Sequence, residues 1–161
     1  MHAPLRLIVA EDDKLSRQRL ETELTQAGYA PIVTKNGAEA LRAFETGRGP
    51  ALLLLDWVMP ILDGVAVCRR VRLVAQAPVH VIFMSARGRQ ENTAEAFEAG
   101  ADDFVAKPFS METLLTRVRL GQRMLSASRA GRFLFEDALV EGLRSHDGVV
   151  VTRDQGTVGR V

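Results

Sequence analysis

The sequence predicts an α/β protein built on a doubly wound, five-stranded parallel sheet of order 2-1-3-4-5, with helices on both faces. Three observations predict it. Short apolar runs alternate with amphipathic stretches five times along the chain, joined by short turn-rich connections, as successive strand–helix units require. Leu52-Leu53-Leu54-Leu55 runs without interruption into Asp56, and such a run bounded by turn signals reads as a strand buried on both faces. Charged and hydroxyl residues (Glu11, Asp12, Asp56, Ser85 and Lys107) close four of the five apolar runs. In open α/β sheets the carboxyl ends of the strands are where ligands bind.

The elements follow in order. Leu5 to Ala10 is the first strand, ending at Glu11-Asp12-Asp13. A helix follows with Leu15, Leu20, Leu24 and Ala27 apolar among charged neighbours, Asp13 as its N-cap and Gly28 as its stop. Tyr29 to Thr34 forms the second strand, and Asn36-Gly37 turns into a helix over Ala38 to Glu45. Ala51 to Asp56 is the third strand, and Asp63-Gly64 opens a helix through Val65, Val67, Cys68, Val71 and Leu73. Val79 to Met84 is the fourth strand, followed by Ser85-Ala86-Arg87-Gly88 and a helix from about Glu91 to Ala99. Asp103 to Ala106 is the fifth, closed by Lys107-Pro108-Phe109, where a cis peptide is expected. Ser110 caps a last helix from Met111 to about Leu125, with Leu114, Leu115 and Val118 on its buried face. Right-handed crossovers then allow the flavodoxin-like order, in which the first and third strands are neighbours and the switch point lies between their carboxyl ends.

Composition excludes several classes. With 161 residues the chain can bury one full core, and 47% apolar with 25% charged residues is ordinary for a globular domain. A formal charge of +1 gives no overall drive toward nucleic acid, and no direct nucleic-acid binding is expected of these residues. No apolar run approaches the roughly 18 residues of a membrane span, so no membrane contact is expected. The N-terminus lacks a signal-peptide pattern, and Cys68 is the only thiol, so a reducing cytoplasm is the expected location. Cys68 reads as helix packing, and Arg69, Arg70 and Arg72 as a solvated face.

Glu11, Asp12 and Asp56 meet at the switch point. Carboxylates pressed together raise one another's pKa unless a proton or a cation intervenes. An oxygen-only donor set with no His or Cys favours Mg²⁺, or Mn²⁺ in its place. Ser85 adds a hydroxyl and Lys107 a long cation. Together these make an aspartate-phosphorylation site with Asp56 as nucleophile, Lys107 and the metal neutralising charge, and Ser85 holding a phosphoryl oxygen.

On these residues the chain resembles the receiver domain of two-component response regulators, from Leu5 to about Leu125. The motifs are Glu11-Asp12, Asp56 within Asp-x-x-Met-Pro-x-x-Asp-Gly (Asp56 to Gly64), Asn36-Gly37-x-Glu39-Ala40-Leu41, Met84-Ser85-Ala86, Gly100-Ala101-Asp102-Asp103 and Lys107-Pro108-Phe109. The resemblance implies Asp56 as phosphoacceptor and Glu11 and Asp12 as metal ligands, with the Val58 backbone carbonyl a further one. It implies Ser85 and Phe104 as the switch pair, and Val58 and Arg87 as positions that tune the lifetime of the phosphoryl group. The donor would be a histidine kinase or histidine phosphotransfer protein. The readout face would be the fourth helix, fifth strand and fifth helix, with Asp102, Asp103 and Arg117 favouring a homodimer. A rival reading is a haloacid-dehalogenase-like phosphatase. Its usual second Asp, two residues after the nucleophile, is Val58 here, which argues against turnover of external esters.

From Ser126 to Val161 the periodicity weakens and five glycines punctuate the chain. The expected division is a receiver over 1–125 and a short tail or truncated output segment over 126–161. That segment is too short for a complete effector domain, so the expectation is a stand-alone receiver that signals by phosphotransfer or protein contact, with the receiver portion of a longer transcription factor or signalling enzyme as the alternative.

Overall fold

The computed structural model describes residues 5–86 and 90–144, with side chains described at 5–86 and 93–128. Five strands, β1 (Arg6–Ala10), β2 (Pro31–Thr34), β3 (Ala51–Asp56), β4 (Val79–Ser85) and β5 (Asp103–Ala106), alternate with five helices. The helices are α1 (Lys14–Gln26), α2 (Gly37–Thr46), α3 (Gly64–Val74), α4 (Gln90–Glu98) and α5 (Met111–Arg144). All pairings are parallel and the order is β2-β1-β3-β4-β5, as the alternation predicts.

The central leucine run serves both faces of the sheet at once. Leu53 and Leu55 pack with Ile8, Val81 and Phe83 against α2, α3 and α4 through Phe44, Val67, Val71 and Ala96. Leu52 and Leu54 pack with Leu7, Val9, Ile82 and Met84 against α1 and α5 through Leu20, Leu24, Leu114 and Val118. The period-two alternation of a strand requires this division. Complete burial of β3 on both faces explains why the run shows no polar alternation.

Helix ends follow the local chemistry. Asp13, Asn36 and Asp63 accept hydrogen bonds from the backbone N–H three residues ahead, each at 2.8 Å. After α1, Gly28 takes φ +91°, and the Tyr29 N–H donates to the Leu24 carbonyl. The same arrangement closes α4 at Gly100, where φ is +102° and the Ala101 N–H reaches the Ala96 carbonyl. Both are left-handed caps that glycine adopts without a Cβ penalty.

Three expectations are corrected. Leu15 does not join the buried stripe of α1 but is 76% exposed. It precedes Leu20 by five residues, a spacing that leaves the i, i+3, i+4 face. Arg72 is no solvated charge; it donates to the carbonyls of Gly100 and Val79 and pairs with Asp102. The last helix does not stop near Leu125 but continues to Arg144. No proline follows Pro108, and Gly131 and Gly142 each cost a helix only about 1 kcal/mol. The chain forms two compact units, 1–129 and 130–161.

Candidate functional site

Sheet register brings the predicted groups to one level. Ala10 pairs with Leu55, Asp56 with Met84, and Ser85 with Ala106. Glu11, Asp56, Ser85 and Lys107 therefore leave adjacent strands at nearly the same height, though they are widely separated in sequence. One carboxylate oxygen from each of Glu11, Asp12 and Asp56 lies within 4.8 Å of the others.

Lys107 crosses this cluster. Its Nζ donates to Glu11 Oε2 at 2.6 Å and lies 3.3 Å from Asp56 Oδ2. Glu11 is 1% exposed and Asp56 9%, so both carboxylates are largely removed from water. Burial and the facing Glu11 push the Asp56 carboxyl up to about 6, against the opposing pull of Lys107. Burial works to lower the Lys107 pKa, but its hydrogen bond to Glu11 and the charges of Asp56 and Glu11 prevail and raise it. Three carboxylates against one lysine leave a surplus of negative charge in a poorly solvated site. Such an oxygen-only surplus fits a hard divalent cation, and Mg²⁺ takes few carboxylates and keeps its waters.

The backbone holds these groups rigidly. The Trp57 N–H donates to Asp56 Oδ1 at 2.8 Å, and the Asp13 N–H donates to Glu11 Oε1 at 3.1 Å. Gly64 lies so close to β3 that a Cβ there would sit 2.3 Å from the Asp56 carbonyl oxygen, which explains the Asp-Gly pair at 63–64. The Lys107 N–H donates to the Ser85 carbonyl at 2.7 Å, and the Lys107–Pro108 peptide is cis. Ser85 is 2% exposed.

The remaining sequence-derived residues fall as follows. Val58 presents an exposed side chain at the rim, whereas the Trp57 ring packs 5.2 Å from that of Phe83. Phe104 is half-buried against the α2–α3–α4 face of the core. Arg87 lies outside the described residues. Asp103 pairs with Arg117 at 2.6 Å, and Asp102 accepts from Arg72 and from the Val81 N–H. Cys68 is buried, donates to the Ala99 carbonyl, and its thiol is pushed up to about 11 by burial.

Two supporting features escaped sequence reasoning. Arg17 Nη1 donates to the Glu11 and Asp12 carbonyls at 2.8 and 2.9 Å, tying the acid pair to α1. Its position four residues after the cap was the only available signal. Ile61 adopts a positive φ of +72°, which no residue type around it announces.

Fold and site together define a class: a doubly wound sheet with a partly buried acidic cluster, a hydroxyl and a lysine on neighbouring strand ends. The model of the response regulator receiver domain family matches residues 7–119. "Probable transcriptional regulator ycf27" of Pyropia yezoensis is 40% identical over 114 residues, 71% of this chain and 46% of that protein. "Transcriptional regulatory protein CseB" of Streptomyces avermitilis is 39% identical over 113 residues, 70% and 47% of the two chains. Among solved structures, the Francisella response regulator 1452 receiver domain superposes with a TM-score of 0.67 at 32% identity, covering 76% of this chain and 98% of that one. The chain belongs to the response regulator receiver domain family, the signalling domains of two-component systems. Members of this family generally bind Mg²⁺ at an acidic cluster and interact with histidine kinases. The chain spans about half the length of the curated relatives it matches. No helix among the described residues is long and apolar enough to cross a membrane.

Proposed function

We propose that Asp56 accepts a phosphoryl group from the phosphohistidine of a histidine kinase or histidine phosphotransfer protein. The observation that carries this reading is the placement of Asp56 at the end of β3, 3.3 Å from Lys107 Nζ and beside Glu11 and Asp12. An Asp56 carboxylate oxygen attacks phosphorus. The donor P–N bond breaks with its electron pair left on the imidazole, and an acyl phosphate remains on Asp56. Glu11, Asp12, Asp56 and the Val58 carbonyl would hold Mg²⁺ or Mn²⁺, which when bound neutralises charge on the phosphoryl oxygens. Lys107 contributes a fixed positive charge to the same oxygens, and the Ser85 hydroxyl contributes a donor. The Trp57 N–H keeps the carboxylate oriented.

The added negative charge, roughly −1.5 to −2 for a phosphoryl group, favours a conformation in which Ser85 and Phe104 shift together. The face of α4, β5 and α5 reports that shift to a partner or to a second copy of the chain. Asp103 and Arg117 pair within the chain, so a homodimer across this face exchanges that pair for intermolecular ones. The chemistry is limited to self-catalysed phosphotransfer and autodephosphorylation, in the cytoplasm, within a receiver over 1–125. The curated relatives named as transcriptional regulators favour a receiver that is part of a longer regulator, with 126–161 leading toward its output segment.

Val58 and Arg87 would set the lifetime of the phosphoryl group. The exposed apolar Val58 offers nothing to orient an attacking water, so a Val58→Asn variant should lose its phosphoryl group faster than wild type. Slower loss would refute that role. Labelling with acetyl phosphate and Mg²⁺ tests the central claim: wild type should accept phosphate stoichiometrically and Asp56→Asn should not. Equal labelling of the two would sink it.

A further inference from the structure

The acceptor cluster occupies the carboxyl ends of the strands, whereas the amino end of β1 carries a cation with no carboxylate partner. Arg6 opens β1, about 16 Å from Glu11 at the strand rise of roughly 3.3 Å per residue. Its Nη1 donates to the Ala43 and Phe44 carbonyls at 3.2 and 3.0 Å, and its Nη2 to the Gly49 carbonyl at 3.4 Å. The guanidinium carbon lies 5.4 Å from the centre of the Phe44 ring. A Cβ on Gly47 would fall 1.9 Å from Nη1. The last turn of α2 and the loop after it therefore clamp the guanidinium in place.

All three partners are carbonyls, and among the described residues the buried Nε has no hydrogen-bond partner. Burial lowers the Arg6 pKa, as it must when a guanidinium loses water without gaining an opposite charge. Carbonyls at a helix end carry only partial charge, so they fix the cation without neutralising it. Beside it opens a cavity of about 540 Å³ between the C-terminal ends of α2 and α3, a size typical of small-molecule sites. Arg6, Arg48 and Gln76 supply polar groups to its lining, Val74 and Ala77 an apolar wall, and Glu45 a carboxylate. That carboxylate is shared with Arg70 of α3, 4.0 Å away, so positive charge is in excess around the opening.

Capping α2 accounts for the three carbonyl contacts of Arg6. It does not account for Arg48 and Gln76, which line the same cavity from two different loops. Nη2 keeps a second N–H beyond the one given to Gly49, and the Ala43 and Phe44 carbonyls, which would repel an anion, are occupied by Nη1. We infer that this cavity binds a small organic anion, whose carboxylate or phosphate group pairs with Arg6 and Arg48 while its apolar body lies against Val74 and Ala77. A guanidinium fixed in advance loses little conformational freedom when it pairs, and its planar donors match either anionic group. The site stands at the far end of β1 from Asp56 and does not depend on phosphotransfer.

The test titrates the full, isotope-labelled chain with phenyl phosphate, phenylacetate and neutral phenylacetamide, followed by NMR at constant ionic strength without divalent cations. At least one of the two anions should bind saturably with a Kd of about 1 mM or tighter, at least about tenfold better than the amide. Its shifts should centre on residues 44–49 and 74–77 and include the Arg6 Nε–H. Preference for phenyl phosphate assigns a phosphate ester, and preference for phenylacetate a carboxylate. Arg6→Lys, which keeps the charge and loses the fork, should weaken binding about tenfold or more. Arg48 and Glu45 are exposed, so two further variants leave the core untouched: Arg48→Ala should weaken binding about threefold, and Glu45→Gln should tighten it. No saturable binding of either anion overturns the inference. So does equal binding of the amide, a set of shifts centred instead on Glu11, Asp12 and Lys107, or an affinity unaltered by both Arg48→Ala and Glu45→Gln.

Discussion

Burial and the Glu11 charge raise the Asp56 carboxyl from an ordinary 3.8 to about 6, so ionising it works against the folded state. The sign follows from linkage: this contribution to stability is fully present below the unfolded pKa and is lost as pH rises through the folded one. In EDTA, Asp56→Asn should match wild type near about pH 3 and exceed it by on the order of 2 kcal/mol above about pH 7. Urea unfolding of both across that range checks it, and a difference that does not grow with pH would count against it. Ile61 presents a second cost of the same kind. Releasing a left-handed β-branched residue gains roughly 1–3 kcal/mol, and the freer unfolded state of glycine takes back about 1. Ile61→Gly should therefore unfold with a ΔG about 1 kcal/mol higher, and a lower one would show that the Ile61 backbone is not strained. The carboxylate cluster was legible because acidic residues at strand ends are unusual. The Ile61 backbone was not, because φ is set by how Pro60 and Leu62 are anchored and not by Ile61.

Between elements, the connection of α3 to β4 and β5 depends on Arg72. Its guanidinium donates to the Gly100 carbonyl at 2.8 Å and the Val79 carbonyl at 2.9 Å while pairing with Asp102, which also accepts from the Val81 N–H. His80 beside Asp102 is buried, and burial lowers its pKa. Arg72→Ala should destabilise by about 2 kcal/mol, since charge-assisted hydrogen bonds are lost and two carbonyls lose a partner. Thermal unfolding reads this, and a loss below about 0.5 kcal/mol would return Arg72 to the status of a surface charge. In the sequence Arg72 looks like its neighbours Arg69 and Arg70, which are exposed. Helical phase alone does not reveal that the α4–β5 loop passes within its reach. Asp102 was likewise weighed only as part of a dimer face, although its partners lie within the chain.

For the whole molecule, the surplus of carboxylates at the switch point is the proposed cation site, and a ligand that binds only the folded state stabilises it by mass action. Mg²⁺ at about ten times its Kd should add about 1.4 kcal/mol to unfolding free energy. The gain should vanish in Asp12→Ala, and an equal gain in that variant would remove Asp12 from the ligand set. By itself the sequence determined the five strand–helix units, their order in the sheet and the groups at the strand ends. Those follow from residue periodicity, from the handedness of crossovers and from the cost of burying charge, all of which act locally or by general rule. Only the tertiary structure decided that Lys107 lies 2.6 Å from Glu11 and 3.3 Å from Asp56, that Arg72 ties three elements together, and that Ile61 is held at a positive φ. Each of these depends on register and close packing between segments distant in sequence, where differences of an ångström decide which groups meet.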